Sequence, residues 1–285
     1  MIAITGATGH FGRLVIAALL DHGVTAGEIV AIVRDPDKAA DLAARGVQVR
    51  QADYTQPDAV KAALRGVDKL LLVSSSEVGS RVAQHRTVVD AAREAGVTLL
   101  AYTSILKADT SRLSLAAEHK ATEEMIRVSG LPFVFLRNGW YMENYTANLA
   151  PTLQRGARLG SAGAGTFTPA TRADYAAAAA AVLTGPGHEN VVYELGGDES
   201  VGLADLAAEI SAQSGTPVTY RDLPVEEYAT VLTGFGLPAA TAAAVADGDH
   251  GIGRGDLTTE SGDLRRLIGR PTATLAQAVR AALKA

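Results

Sequence analysis

The chain has 285 residues, a formal net charge of −5 and no cysteine. That length allows one large domain, or a domain with an appended lobe, burying about three quarters of the surface an unfolded chain exposes. The acidic balance argues against a nucleic-acid partner, and the missing cysteines exclude disulfides, thiolate nucleophiles and Cys-ligated metals. With 47% hydrophobic and 20% charged residues the composition is that of a soluble globular protein. No early stretch has the form of a signal peptide, and the apolar run Ala176 to Val182 is too short to span a bilayer. The expectation is a cytoplasmic protein with no membrane partner.

Ile2-Ala3-Ile4 reads as a short buried strand. From Phe11 to Leu20, apolar residues recur at helical spacing, with Phe11, Leu14, Val15, Ala18 and Leu19 on one face. Between the two lies a turn punctuated by Gly6, Gly9 and Gly12. Strand, glycine turn and helix in this order build a phosphate site: glycines let a pyrophosphate approach the backbone, and the helix N-terminus offers free N–H donors and a positive dipole end. The alternative is a tight turn with glycines for steric reasons. At the head of an α/β alternation, the turn reads as a dinucleotide site.

Glu28 to Val33 is a second buried strand, with Arg34 immediately beyond it. An acidic residue there accepts from a free ribose 2′-hydroxyl, whereas arginine accommodates a 2′-phosphate, so Arg34 points to NADP rather than NAD. The plainer reading is a surface arginine paired with Asp35 or Asp37. Asp35-Pro36 predicts a capped helix through Arg45. Val47 to Arg50 alternates as an edge strand would, followed by Asp53, either an adenine contact or a turn residue. Lys69 to Val73 is an apolar fourth strand ending in Ser74, Ser75 and Ser76, placed at the carboxyl end where ligands sit in open α/β sheets.

A helix is predicted over Ser80 to Ala95, a fifth strand over Val97 to Thr103, a helix over Leu113 to Ser129 and a sixth strand over Leu131 to Leu136. The alternation implies a doubly wound parallel sheet, an α/β fold of Rossmann type. Gly156 to Gly165 reads as a glycine-rich surface loop, Arg172 to Leu183 as an Ala-rich helix and Val191 to Leu195 as one more strand. Residues 1–155, completed by about 172–196, form the expected dinucleotide-binding domain. Residues 197–285 form a smaller C-terminal α/β lobe covering the cleft. Ala-rich helices leave faces for a homodimer.

No metal site is expected, because the six histidines show no ligand spacing. Gly-x-Ser-x-Gly is absent, which argues against a serine hydrolase. His119 and Glu123, four apart on a helix, share a face, and a carboxylate there favours the protonated imidazole; the plainer reading is an exposed helix pair. Trp140, Tyr141 and Tyr145 cluster with Asn138 just past a strand end. They form either a stacking platform for a flat aromatic substrate or, for Trp140, core packing.

Gly6-x-x-Gly9-x-x-Gly12, Leu115-Ala-Ala-Glu-His119-x-x-x-Glu123 and Leu136-Arg-Asn-Gly-Trp-Tyr141-x-Glu-Asn-Tyr145 resemble the NmrA-like branch of the atypical short-chain dehydrogenases. Within it, the likeness is to type 2 NAD(P)H:quinone oxidoreductases and triphenylmethane dye reductases. The resemblance implies NADPH bound by Gly6, Ala7, Thr8, Gly9, His10, Phe11 and Gly12, with Arg34, Ser74, Ser75, Ser76, Asn138, Gly139, Trp140, Tyr141, Met142, Glu143 and Arg172. Asp53 joins that set from its place at a strand end. The Tyr-x-x-x-Lys pair of typical short-chain dehydrogenases is missing, its spacing falling on Leu115 and His119.

Reducing an isolated ketone needs an acid for the developing alkoxide, whereas a quinone delocalises the charge. The expected activity is therefore hydride transfer from NADPH to a quinone or similar conjugated acceptor, with neither flavin nor metal. Tyr141, Asn138 and His119 are the catalytic candidates, and Trp140, Tyr141 and Tyr145 the substrate contacts. The alternative is a non-catalytic, NADP-binding redox sensor.

Overall fold

A computed structural model describes residues 1–284. Its strands are β1 (Ile2–Ile4), β2 (Ile29–Val33), β3 (Gln48–Gln51), β4 (Lys69–Leu72), β5 (Leu99–Ile105), β6 (Phe133–Asn138), β7 (Ala157–Gly160), β8 (Thr166–Phe167), β9 (Val191–Leu195), β10 (Val201–Gly202) and β11 (Thr219–Asp222). Its helices are α1 (His10–Asp21), α2 (Ala40–Ala44), α3 (Pro57–Ala63), α4 (Arg81–Glu94), α5 (Ala116–Ser129), α6 (Glu143–Thr146), α7 (Ala150–Arg155), α8 (Arg172–Thr184), α9 (Leu203–Ser214), α10 (Val225–Gly234), α11 (Ala239–Gly253), α12 (Asp263–Ile268) and α13 (Leu275–Ala282).

Seven strands form one parallel sheet in the order β3-β2-β1-β4-β5-β6-β9. This is the Rossmann-type α/β arrangement. Strands β2 and β5 are buried throughout, as continuous apolar runs covered on both faces must be. The order reverses between β1 and β4, so the crevice at their carboxyl ends is where a ligand fits.

Helices α1 and α8 cover one face. Ala176, Ala178, Ala179 and Ala180 of α8 are buried there beside Val15, Ile16 and Leu19 of α1, which explains the alanine run as a close helix–helix contact. Helices α3, α4 and α5 cover the other face over Leu70, Leu72, Leu100, Tyr102, Phe133 and Phe135. A third cluster joins Phe167, Leu206, Ile210, Ile252 and Val279 to Ile105, Leu113, Met142 and Leu149. Among the described residues, no helix is long and apolar enough to cross a membrane.

Three segments depart from the sequence expectations. The helix expected from Pro36 to Arg45 divides into a 3-10 turn, Pro36–Ala39, and the short α2, with Asp35 accepting from the Asp37 N–H at its head. The sixth strand continues to Asn138, which places Arg137 and Asn138 on the sheet itself. Gly156 to Gly165 is not a surface loop: it contains β7, which pairs in parallel with β11. Its glycines serve close packing. A Cβ on Gly160 would stand 2.7 Å from Asp249 Oδ2 and from Leu203 Cδ1, and one on Gly165 would stand 2.6 Å from the Gly253 backbone. Through these contacts, residues 157–165 pack against β11, α9 and α11.

Candidate functional site

The glycine turn joins β1 to α1 as its spacing requires. Gly6 has φ +57°, a left-handed conformation that favours glycine, and its carbonyl accepts from the Gly9 N–H at 3.0 Å. A Cβ on Gly12 would stand 2.4 Å from the Gly6 carbonyl oxygen and 2.8 Å from Ala7 Cα, both backbone atoms. Only glycine there lets α1 start against the turn. The helix begins at His10 with no side chain capping its free amides, and so offers donors and a positive dipole end to an anion.

Beside this turn lies a cavity of about 360 Å³ lined by Gly6, Thr8, Gly9, Ile32, Arg34, Lys38, Asp53, Tyr54, Ser74, Ser75, Ser76, Glu77 and Gln84, among others. Arg34 and Lys38 bring two cations to one rim. Arg34 does not pair with Asp35 or Asp37; its Nη1 donates to Glu77 Oε1 at 3.0 Å, across the mouth. Asp53 lines the cavity and also accepts from the Thr55 N–H and hydroxyl at 2.8 and 2.6 Å. The Thr55 hydroxyl and amide hold the Asp53 carboxyl below its ordinary range.

The exit of β4 is fixed by three side chains that the sequence reading missed. The amides of Val73, Ser74 and Ser75 donate in succession to Thr5 Oγ1 (2.9 Å), Thr103 Oγ1 (2.8 Å) and His85 Nε2 (3.0 Å). Because His85 Nε2 accepts, its proton sits on Nδ1, which faces Thr122 Oγ1 at 3.0 Å. Burial lowers the His85 pKa to about 3, with the nearby Arg81 acting in the same direction. The ring is neutral at pH 7, as an acceptor must be. Thr5 and Thr103 stand at strand ends and were visible there; nothing local ties His85, mid-helix, to a serine loop.

The segment after β6 is held from both sides. The Gly139 N–H donates to the Leu195 carbonyl, Met142 N–H to the Ala170 carbonyl and Ala170 N–H to the Trp140 carbonyl. Tyr141 stacks on Phe11 of the glycine turn at 6.0 Å and 22°, meets Tyr175 edge-on at 5.4 Å, and carries the Arg172 guanidinium 4.8 Å from its ring centre. Glu143 accepts from the Arg172 N–H at 3.0 Å, tying the heads of α6 and α8. Asn138, only 4% exposed, reaches Tyr141 through Nδ2 at 3.5 Å, while its Oδ1 has no hydrogen-bond partner. A buried amide oxygen without a partner costs about 1–3 kcal/mol unless a ligand supplies a donor.

The remaining candidates lie elsewhere. His119 and Glu123 are buried, not an exposed pair, and they do not pair with each other. Glu123 accepts from Arg137 Nε and Nη2 at 2.9 and 2.7 Å and from the Ser104 hydroxyl at 2.6 Å. His119 Nδ1 meets the Tyr102 hydroxyl at 2.8 Å. Burial, then Arg81 and His85, lower the His119 pKa to about 3, so the ring is neutral rather than protonated. Alternation along β6 sends Arg137 to the α5 face and Asn138 to the α1–α8 face, which separates His119 from Asn138 and Tyr141.

Tyr145 points into the lobe, 4% exposed, and its hydroxyl donates to Asp249 Oδ1 at 2.9 Å, so it is not presented to the cleft. Trp140 is half-buried with its ring against α11, where a Cβ on Gly248 would stand 2.8 Å from Cζ2. The structure therefore brings Gly6, Thr8, Gly9, Arg34, Asp53 and the serines to one cavity, while Asn138 and Tyr141 stand outside its lining, linked to the turn by the stack of Tyr141 on Phe11. Lys38, Tyr54, Glu77 and Gln84 also line the cavity. Of these, Lys38 was open to detection as a second cation four residues after Arg34.

A glycine turn without room for side chains, a helix start with free amides, a cationic rim and an unpartnered buried amide oxygen together fit a phosphorylated dinucleotide. Fold and cleft define a Rossmann-type dinucleotide-binding protein. Residues 1–249 match the NmrA-like family, and the chain belongs to that family. It is 54% identical to quinone oxidoreductase 2 of Escherichia coli (strain K12) over 279 residues, 98% of this chain and 97% of that protein. The crystal structure of NADPH-dependent quinone oxidoreductase from Escherichia coli, complexed with NADPH, superposes with a TM-score of 0.97 at 53% identity, covering 99% of this chain and 100% of that one. That of Citrobacter sp. triphenylmethane reductase complexed with NADP(H) gives 0.95 at 40% identity, covering 99% and 100%.

Proposed function

We propose that this chain is an NADPH-dependent quinone oxidoreductase that works without flavin, hydride passing straight from the nicotinamide to the acceptor. The observation that carries this reading is the unpartnered, buried Asn138 Oδ1 beside Tyr141, one aromatic contact from the glycine turn. The 54% identity to an Escherichia coli quinone oxidoreductase supports the choice of acceptor.

NADPH, when bound, supplies the hydride. The glycine turn and the start of α1 would hold the pyrophosphate, and Arg34 and Lys38 the 2′-phosphate. Asn138 Oδ1 would accept from the carboxamide, and Tyr141, braced by Phe11 and Arg172, would orient the ring. The acceptor lies between the dinucleotide-binding domain (1–155 with 172–196) and the lobe (197–285), where Trp140 bridges the two. Catalysis is then mainly positioning.

The sequence has no Tyr-x-x-x-Lys pair, and His119 is neutral and engaged with Tyr102. A quinone tolerates this: its reduced form is a phenolate with an ordinary pKa of about 10, basic enough to take a proton from water. Secondary alcohols are not expected to be substrates.

The test is initial-rate turnover of NADPH and NADH with a benzoquinone panel, for the wild type and Arg34→Ala, against an enzyme-free blank, with an absorption spectrum of the purified protein. Saturable turnover with NADPH, weakened in the variant, and no flavin band is the expected result. Tight NADP⁺ binding with turnover only at the blank rate would overturn it in favour of a sensor.

A further inference from the structure

The guanidinium assigned to the 2′-phosphate already carries a carboxylate. Glu77 stands on the loop between β4 and α4, and its Oε1 accepts from Arg34 Nη1 at 3.0 Å. With the Arg34 side chain 71% and that of Glu77 47% exposed, such a pair alone would mean little.

Glu77, however, is held. Its Oε2 accepts from Gln84 Nε2 at 2.6 Å, and its N–H donates to Ser75 Oγ at 3.2 Å. Ser75 is fixed in turn, its carbonyl accepting from Arg81 Nε at 2.6 Å and its amide donating to His85. Gln84, 8% exposed, and Arg81, 5% exposed, form a buried base under the carboxylate. The acids beside Arg34 are otherwise engaged: Asp35 caps Asp37 and pairs with Lys38 at 3.7 Å, and Asp53 is bound to Thr55. One anchored carboxylate thus reaches across the mouth of the cavity onto Arg34.

We propose that Glu77 is a specificity-determining residue for the cofactor: an internal counter-ion that occupies Arg34 in the free protein and is displaced from it by a 2′-phosphate. The inference rests on the NADPH reading above. A 2′-phosphate brings close to two negative charges, and a carboxylate already on the same guanidinium repels it. A 2′-hydroxyl meets no such conflict, since a carboxylate accepts from it. Glu77 therefore narrows the preference for NADPH that Arg34 alone would set, and its anchoring by Gln84 keeps it in competition.

The experiment is calorimetric binding of NADP⁺, NAD⁺, 2′,5′-ADP and 5′-AMP to the wild type, Glu77→Gln, Arg34→Ala and the double variant, with thermal melts to confirm folding. Glutamine keeps the size of the side chain and removes its charge. Glu77→Gln should bind NADP⁺ and 2′,5′-ADP about fivefold tighter, the scale of a partly exposed ion pair, with NAD⁺ and 5′-AMP unchanged or weaker. The gain should vanish in the Arg34→Ala background.

If NADP⁺ affinity is unchanged in Glu77→Gln, or NAD⁺ tightens equally, the counter-ion is refuted while the cofactor reading stands on its Arg34 dependence. If the wild type does not prefer NADP⁺ and Arg34→Ala has no effect, both fall.

Discussion

Gly139 offers the sharpest probe of the segment that ends β6. Its N–H donates to Leu195 at 2.8 Å, and a Cβ built on it would stand 2.9 Å from the Tyr175 hydroxyl and 3.1 Å from the Leu195 carbonyl oxygen. Gly139→Ala therefore forces a buried tyrosine or the β9 strand end to shift by a few tenths of an ångström. Overpacking of this kind costs about 1–3 kcal/mol, and the smaller entropy of the unfolded alanine chain returns about 0.4–1 kcal/mol. A net loss of about 1–2 kcal/mol corresponds to a Tm lower by roughly 2–8 °C for a chain of this size. Displacing Asn138 and Tyr141 by a third of an ångström should also lower kcat about fivefold, scaled from the roughly hundredfold loss per ångström of misplacement.

The Tyr175 hydroxyl makes no hydrogen bond of standard geometry, so Tyr175→Phe alone should be close to neutral. In that background Gly139→Ala loses its closest obstruction and should recover at least half of both effects. Calorimetric melting and initial rates on the four proteins complete the cycle. Equal costs of Gly139→Ala in the two backgrounds would refute the packing argument.

Glu123→Gln removes the carboxylate that Arg137 grips with two nitrogens, leaving a buried guanidinium part-paired; Glu194 at 2.7 Å and Asp109 at 3.0 Å still neutralise it. The loss should lie near the lower end of the 3–5 kcal/mol typical of a broken buried pair, about 3 kcal/mol by urea unfolding, and a change under about 1 kcal/mol would contradict it.

His85 and His119 stay neutral in the fold down to about pH 3, whereas unfolded histidine binds a proton below about 6.5. The unfolded chain thus takes up protons that the folded one refuses, and stability is lost as pH falls from 6.5 towards 3, by about 1.4 kcal/mol per pH unit for each histidine. His119→Gln should flatten that slope in pH-dependent denaturation; an unaltered slope would show that His119 protonates freely in the fold.

Asp249 acts with the opposite sign. Burial raises its pKa to about 6, against 3.8 for an ordinary aspartate. Its contribution is complete below 3.8 and is lost as pH rises through 6, so Asp249→Asn should remove a stability decline of about 3 kcal/mol between those limits. Denaturation midpoints of the variant at pH 4 and 7 that differ as much as those of the wild type would count against this.

Much of this protein is written locally. The strands and the glycine turn follow from apolar runs and from Gly6, Gly9 and Gly12, because a backbone that must bend or approach a phosphate excludes side chains at those positions. Arg34 follows from its place after β2, since a parallel sheet brings strand ends to one crevice. The glycines of 156–165 misled, because a residue that packs tightly lacks a side chain for the same reason as one that turns freely: Gly160 gives room to Asp249 and Leu203, which come from distant elements.

The same holds for the side chains of the site. Spacing placed His119 and Glu123 on one helix face, but the partner of each comes from another strand, Tyr102 for one and Arg137 for the other, and burial decides the charge. Likewise the alternation along β6, not sequence proximity, sends Asn138 to the face covered by α1 and α8 and Arg137 to the opposite face. By itself the sequence determined the backbone path and the chemistry available along it. Only the tertiary structure decided which charges meet, as Glu77 meets Arg34 across 43 residues, because electrostatics and hydrogen bonds act through space over a few ångströms and take no account of chain order.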